Sequence, residues 1–126
     1  MIQKRKYAPM NSMVIISGPG KLDVPEWGEA RPKIVATRSC IFSICLPEVD
    51  GETKFVLGPS SELEMEQAPD FDDVLEVREK SLIISEVDES VVLKTPVPSR
   101  VLGIRIWHSH PIWPEVVTVG WYVPPG

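Results

Sequence analysis

The sequence Val101-Leu102-Gly103-Ile104-Arg105-Ile106-Trp107-His108-Ser109-His110 decides the fold class, because it carries the clearest strand pattern in the chain. Apolar side chains recur at even positions from residue 102 to residue 106. A β-strand directs alternate residues to opposite faces, so these side chains are expected to pack together against a core. The residues of this expected core face are Leu102, Ile104 and Ile106.

The other side chains of this strand follow the same alternation. Arg105 and Trp107 are expected to face away from the core. His108 and His110 fall on the core face, where the strand reaches the rim of the sheet. Pro111 then ends the hydrogen-bonded ladder, because proline has no amide hydrogen to donate.

The segment Val116–Tyr122 is the expected partner of this strand. It is rich in β-branched and aromatic residues, which suit a pleated surface. The link between the two runs contains Pro111 and Pro114 and is too short for a crossover helix. The two strands are therefore expected to pair antiparallel.

Further short apolar runs between turn residues predict more strands. The longest, Ile34–Leu46, is apolar on both faces and is expected to form a hairpin with Thr53–Leu57 around Asp50-Gly51. The remaining expected strands are Met13–Ser17, Glu62–Glu66, Val74–Val77, Ser81–Ser85 and Ser90–Lys94. A set of about eight or nine short strands is typical of an all-β fold, here an antiparallel β-sandwich.

Proline content supports the same fold class. The chain has 13 prolines among 126 residues, about twice the usual share. They are scattered, and no window carries the apolar stripe of an amphipathic helix. The length predicts a single domain over residues 1–126, with residues 1–11 as a loose basic end.

Charge and cysteine content exclude several function classes. A net charge of −5 argues against a general nucleic-acid-binding protein, which needs a basic face. No apolar run is long enough to cross a membrane, and no secretory signal follows the basic residues 4–6. Cys40 and Cys45 are expected on opposite faces of one strand, too far apart for a disulfide. Free cysteines are typical of a reducing compartment, so a cytoplasmic location is expected.

The run His108-Ser109-His110-Pro111 resembles the His-x-His-Pro motif of the JAMM/MPN zinc peptidases, which also follows an apolar strand. Two histidines two positions apart on one strand face can bind one metal ion. A catalytic zinc site also needs a third protein ligand and an open water position. The downstream Ser and Asp of that family correspond here to Thr118 and Trp121. Glu115 is the carboxylate that follows the histidines.

Two alternative functions therefore involve this end of the chain. One is a metal-dependent hydrolase, and its ligands would be His108, His110 and Glu115. The other is a small-ligand-binding sandwich with a pocket lined by Trp107, Trp113 and Trp121. The main interpretation is that the histidines cap the end of a core strand, with no enzyme activity, no metal and no cofactor.

The best candidate for a binding surface is an acidic stretch from residue 62 to residue 76. It contains seven carboxylates and no lysine or arginine. Such charges repel, so solvent or a cationic partner must offset the cost. Residues 62–66 predict a strand with solvent-facing glutamates, and residues 69–73 predict a loop in which Phe71 is an aromatic anchor. The expected contact residues are Glu62, Glu64, Glu66, Asp70, Phe71, Asp72 and Asp73.

These residues would bind a basic protein such as a nuclease or a toxin. Carboxylates spaced along a surface can imitate the charge of a phosphate backbone, and a basic groove would accept them. The alternative is a solvated acidic loop that only aids solubility. The spacing of Asp or Asn around a central glycine that a calcium loop requires is absent.

The order of elements resembles the competence protein J family, small β-sandwich inhibitors of a DNA-entry nuclease. The resemblance rests on Pro25-Glu26-Trp27 after the first strand, and on the run from Val77 to Ile84 that leads on to Trp107. It implies an inhibitor or immunity role, with the acidic stretch in the basic cleft of the enzyme. It implies no residue-level site. Trp27 itself is expected to pack over one edge of the core.

Overall fold

The computed structural model describes residues 1–20, 24 and 33–125. These residues form ten β-strands joined by loops and short 3₁₀ turns. The strands are β1 (Gln3–Tyr7), β2 (Met13–Ser17), β3 (Ile34–Ala36), β4 (Cys40–Ile44), β5 (Thr53–Pro59), β6 (Phe71–Glu76), β7 (Ser81–Ser85), β8 (Val91–Pro96), β9 (Val101–His108) and β10 (Val116–Tyr122). No helix in this part of the chain is long and apolar enough to span a membrane. The expected packing of Trp27 and the run Pro25-Glu26-Trp27 lie outside the described residues.

The strands form two five-stranded sheets. Sheet 1 has the order β1-β5-β10-β9-β6, and sheet 2 has the order β3-β4-β2-β7-β8. All strand pairs are antiparallel except β5 and β10, which are parallel. Both sheets contribute apolar side chains to one buried cluster, so the predicted all-β sandwich is confirmed.

Strand β9 occupies the position that its alternation predicts. Leu102, Ile104 and Ile106 are fully buried in the cluster. From sheet 2, Ile16 of β2 and Ile84 of β7 are also fully buried in the same cluster. The antiparallel pairing of β9 with β10 is confirmed, and the expected strands β7 and β8 pair antiparallel with each other.

The predicted hairpin between Ile34–Leu46 and Thr53–Leu57 is wrong. The longer run is divided into β3 and β4, which pair with each other. Strand β4 belongs to sheet 2, whereas β5 lies in sheet 1 between β1 and β10. The turn at Asp50-Gly51 therefore carries the chain from one layer to the other. Turn residues specify a change of direction, but the partner of each strand is chosen by residues far away in the sequence. Cys40 and Cys45 are both buried, and no disulfide joins them.

Residues 1–11 do not form the loose end that was expected. Residues 3–7 form β1, an edge strand that pairs antiparallel with β5. The Arg5 guanidinium donates hydrogen bonds to two carbonyl groups of β8, at 3.2 and 3.0 Å. The Tyr7 hydroxyl donates to the buried carboxylate of Glu86 at 2.8 Å. These long-range bonds attach the basic segment to the sandwich, although its composition is that of a solvated end.

The loops lie at two ends of the sandwich, which differ in charge. The Arg38 end comprises the β3–β4, β6–β7 and β8–β9 connections. Hydrogen bonds to the backbone carbonyls of Arg38, Lys80 and Arg100 join these connections to one another and to the end of β6. The His108 end comprises the β1–β2, β4–β5, β7–β8 and β9–β10 connections. Its exposed carboxylates are Glu48, Asp50, Glu52, Asp88, Glu89 and Glu115. One end therefore presents mainly cations and the other mainly anions.

Candidate functional site

The acidic stretch begins as an irregular segment over the outer face of sheet 1. Residues 63–70 form no strand, so the predicted strand at Glu62–Glu66 is wrong. A side chain at Gly120 of β10 would come within 2.9 Å of Leu63 and 3.2 Å of the Trp107 ring, so the glycine leaves room for both. The Trp107 indole N–H also donates to the Gln67 carbonyl at 2.9 Å. Packing against β9 and β10 thus overrides the strand-like alternation of this segment.

The second half of the stretch is the edge strand β6, which pairs with β9. Residues 71–73 therefore belong to a strand and not to the predicted loop. Asp72 accepts a hydrogen bond from Arg105 Nε at 3.2 Å and one from the Tyr122 hydroxyl at 2.9 Å. The Arg105 guanidinium lies 4.3 Å from the centre of the Tyr122 ring. The hydrogen bond to Asp72 raises the pKa of Tyr122.

Two other aspartates also bond within the molecule. Asp70 Oδ2 accepts a hydrogen bond from the backbone N–H of His108 at 2.7 Å. Asp73 Oδ1 accepts one from the adjacent Val74 N–H at 2.7 Å. Asp73 is opposite the buried Ile104 in the ladder, yet it is exposed because β6 is the edge of the sheet. A charge on the inward side of an edge strand discourages another chain from pairing there.

Phe71, the expected anchor, lies at the start of β6. It is opposite Ile106 and packs, partly buried, against the core. Only part of its ring remains exposed to a partner. The hydrophobic contacts of Phe71 are therefore mainly with the core of the sandwich.

The glutamates of the stretch differ in their pairing. Glu62 lies 3.2 Å from the N-terminal ammonium group, and Glu76 lies 2.9 Å from Arg38 Nε. Exposed pairs of this kind stabilise a fold by about 0–1 kcal/mol. Glu64 and Glu66 are exposed and make no ion pair or hydrogen bond with another described residue. Among the carboxylates of the acidic stretch, Glu64 and Glu66 are thus the two that are not paired with another described residue.

His108 is buried at the end of β9, as the alternation predicts, with 5% of its surface exposed. Its Nε2 lies 2.7 Å from the Ser43 hydroxyl of β4, so the pair links the two sheets. Its Nδ1 is buried without a hydrogen-bond partner among the described residues. Burial lowers the pKa of His108, and the negative charge of Asp70 partly opposes this.

His110 does not share the environment of His108, so the expected common core face is wrong. Strand β9 ends at His108, and His110 is exposed in the following loop. Its Nδ1 accepts hydrogen bonds from the Ile112 N–H at 3.1 Å and the Trp113 N–H at 3.0 Å. The part of the chain that the structure describes contains no group of three His, Cys, Asp or Glu residues that could hold a metal ion. The exposed Glu115 does not complete such a group.

The three tryptophans do not line a common pocket. Trp107 faces away from the core on sheet 1 and is buried beneath residues 63–67. Trp121 packs against the core on the opposite face of the same sheet. Trp113 lies in the β9–β10 loop with 52% of its surface exposed. Trp107, Trp113 and Trp121 are therefore not arranged to line one small-ligand pocket.

Sequence reasoning missed the exposed apolar surface of the His108 end. The large apolar side chains that are exposed there are Met10, Val49, Ile112 and Trp113. A detectable signal exists, since Ile112 and Trp113 are adjacent apolar residues between two prolines of a loop. An apolar pair in that position has no strand periodicity that would direct it to the core.

The fold is thus a two-sheet β-sandwich that carries an acidic stretch over sheet 1. No family model matches the sequence, and no curated protein matches it either. Among solved structures, the chain is similar to ComJ from Bacillus subtilis, inhibitor of the DNA degrading activity of NucA. The TM-score is 0.71 at 10% identity, and the match covers 98% of this chain and 99% of that chain. The resemblance to competence protein J is therefore a shared fold over nearly the whole length.

Proposed function

We propose that this protein is a non-enzymatic, inhibitor-type interaction protein that binds a basic protein partner of the nuclease kind. Its main support is the full-length fold similarity to ComJ, whose described role is to inhibit a DNA-degrading enzyme. A fold can host several functions, so a surface with suitable chemistry is also required. The acidic stretch supplies that surface.

The carboxylates that meet the partner are those that internal bonds leave free. Glu64 and Glu66 project from the irregular segment over sheet 1, and Leu63 and Gln67 fix the backbone on either side of them. A negative surface of this kind accelerates encounter with a basic partner and aligns it before contact. An enzyme groove that binds the phosphates of DNA is basic, because its lysines and arginines pair with their negative charge. The same cations attract carboxylates.

Asp70 and Asp72 have a different role in this proposal. Asp70 holds the end of β9, and Asp72 holds Arg105 and Tyr122. Replacing them would disturb the fold of the surface as well as its charge. They are therefore poor choices for a first test of binding.

The test measures degradation of DNA by NucA, and by an unrelated basic nuclease, with increasing amounts of the purified protein. Wild type is compared with a double variant, Glu64→Gln with Glu66→Gln. The matched control is Glu79→Lys, which changes the net charge by the same two units at an exposed position outside both the stretch and the His108 end. Loss of the two charges is expected to weaken inhibition roughly ten-fold at low salt, and less at higher salt, because exposed charges are screened.

Three outcomes would contradict the proposal in different ways. No inhibition and no binding by wild type, at any ratio to either nuclease, would reject the inhibitor role for these partners. Equal inhibition by wild type and the Glu64, Glu66 variant would reject the acidic stretch as the contact surface. Equal weakening by the control would show that total charge matters and not the position of the charges.

A further inference from the structure

The β9–β10 loop exposes two large apolar side chains next to each other. Ile112 has 60% of its surface exposed and Trp113 has 52%. Pro111 and Pro114 lie on either side of the pair. Contiguous exposed apolar surface is uncommon on a folded protein and marks a contact site more often than a single exposed residue does.

Hydrogen bonds hold the backbone of this loop and leave the apolar side chains free. His110 Nδ1 accepts from the amides of Ile112 and Trp113, as described above. The Ser109 hydroxyl accepts from the Val116 N–H at 2.9 Å, and the Ser109 N–H donates to the Val116 carbonyl at 3.1 Å. A pre-organised loop loses less conformational entropy on binding, so more of the contact energy appears as affinity.

A neighbouring loop adds to this surface. Val49, in the 3₁₀ turn between β4 and β5, has 89% of its surface exposed. The Lys54 N–H at the start of β5 donates to the Glu115 carbonyl at 2.8 Å, which links the two loops. The turn of Met10–Ser12 packs against the turn that contains Val49. Exposed apolar side chains from three connections therefore share the His108 end.

The rim of this apolar surface is acidic. No lysine or arginine occurs between Arg38 and Lys54, and none follows Arg105. Lys6, Lys33 and Lys54 lie at the margin. No rim carboxylate forms an ion pair within the described part of the chain. The exposed rim carboxylates are Glu48, Asp50, Glu52 and Glu115.

We infer that the His108 end is a second contact surface, separate from residues 64–66, and that it binds a protein patch with an apolar centre and a cationic border. The inference rests on the proposed interaction role and adds the chemistry of the partner. Trp113 inserts at the centre, since tryptophan is enriched among the residues that dominate binding energy. The rim carboxylates select lysine or arginine around it.

The negative charge of the rim argues against two other classes of binding partner, nucleic acids and membrane surfaces. Nucleic acid carries dense negative charge and would be repelled. The cytoplasmic leaflet of a membrane is also anionic and attracts basic segments instead. A cationic protein surface is the occupant that satisfies both the apolar centre and the acidic border.

The experiment titrates the full chain with a short amphipathic peptide of leucine, lysine and arginine, and with an acidic peptide of equal length as a control probe. Fluorescence anisotropy of the labelled peptide gives the Kd, and the indole N–H signal of Trp113 in a proton–nitrogen spectrum shows where it binds. Saturable binding of the cationic peptide alone, with shifts in the 48–52 and 109–115 loops, is the expected result.

Two pairs of variants make the test specific. Trp113→Ala is expected to weaken the peptide Kd roughly ten-fold or more, whereas Val123→Ala, an exposed apolar residue outside this end, leaves it unchanged. Glu115→Gln is expected to weaken it about two-fold at low salt, whereas Glu79→Gln at the Arg38 end does not.

Three results would overturn the inference: binding that does not saturate, shifts centred on the Arg38 end, or a Trp113→Ala variant that binds as tightly as wild type. The thermal midpoint of each variant shows whether its fold is retained. The peptide titration contains no nuclease. A failure to inhibit nucleases therefore rejects the proposed function, whereas a failure of the titration rejects this surface.

Discussion

The acidic stretch and the His108 end both expose carboxylates, but different side chains accept the hydrogen bonds in the two regions. In the acidic stretch, side chains accept the bonds, as Asp70, Asp72 and Asp73 do. In the β9–β10 loop, the side chains of Ser109 and His110 accept bonds from backbone amides, and the carboxylate of Glu115 and the apolar side chains stay exposed. The density of charge in a sequence is therefore a poor measure of how much charge a partner can meet.

Side-chain length accounts for part of this difference. The short carboxylate of aspartate readily reaches nearby backbone amides, as Asp73 does with Val74. The longer Glu64 and Glu66 extend into solvent without such a bond among the described residues. Within one acidic stretch, the three aspartates thus shape the surface, whereas Glu64 and Glu66 remain free to bind.

The largest expected effect comes from Gly103→Ala, which breaks the bonded network of the acidic side. A Cβ at residue 103 would collide with the Tyr122 ring. The ring would be displaced and Asp72 would lose a partner. We expect a loss of about 3 kcal/mol in the free energy of unfolding, typical of overpacking. Urea unfolding measures it.

A double variant controls this prediction. Gly103→Ala together with Tyr122→Ala removes the collision, so it is expected to be more stable than Gly103→Ala alone. Wild-type stability in the single variant would show that the ring can move without cost.

The next effect concerns the pH dependence of folding stability, to which His108 contributes from its buried position at the end of β9. The folded pKa is lowered below the ordinary value of 6.5, so the unfolded chain takes up the proton first as pH falls. Stability is complete above pH 6.5 and is lost as pH falls toward the folded pKa, by about 1.4 kcal/mol per unit of difference between the two values. His108→Gln is expected to remove this loss of stability, which sets in as the pH falls below 6.5. An unchanged loss in the variant would assign it to other groups.

A smaller effect separates structural from free carboxylates. Asp70→Ala removes the acceptor of the His108 N–H, and we expect it to cost about 1–2 kcal/mol of stability. Glu64→Ala is expected to change stability by less than about 0.5 kcal/mol, as for other exposed substitutions. Chemical denaturation of both variants measures the contrast. Equal costs would contradict the distinction between structural and free carboxylates within the acidic stretch.

The smallest effect concerns the rigidity of the β9–β10 loop. His110→Ala removes the acceptor of two amides, and we expect a cost of about 0.5–1 kcal/mol. Amide exchange at Ile112 and Trp113 is expected to become faster. His110→Asn keeps an acceptor near the position of Nδ1 and should restore slow exchange. Fast exchange already present in wild type would contradict a pre-organised loop.

Local alternation predicted part of the fold well. Strand β9 follows from Leu102, Ile104 and Ile106, because the period of a strand is visible within a few residues. The layer change between β4 and β5 is not visible in this way. It depends on β5 finding β1 and β10, which are distant in the sequence. Strand β1 was missed because an exposed edge strand can carry charges that make it resemble a loose end.

The candidate site was predictable to a similar extent. The acidic stretch is evident from composition, but its internal bonds depend on Arg105, Tyr122 and the backbone of His108, which only the fold brings close. The strand expected at residues 62–66 failed because Leu63 packs over Gly120, a contact between remote positions. Sequence identified where charge accumulates, and tertiary contacts determine which charges are free.

The parallel pair of β5 and β10 also affects how the chain reaches its fold during synthesis. It aligns Lys54 with Val116, which are 62 positions apart (116 − 54). All strands of sheet 2 precede residue 97, so that layer can assemble while sheet 1 still lacks its middle strand. Pairing between distant segments is slow, and β5 keeps an open edge during the delay. A chain that stops before Val116 is therefore expected to aggregate, since the last strand to be made is the one that closes sheet 1.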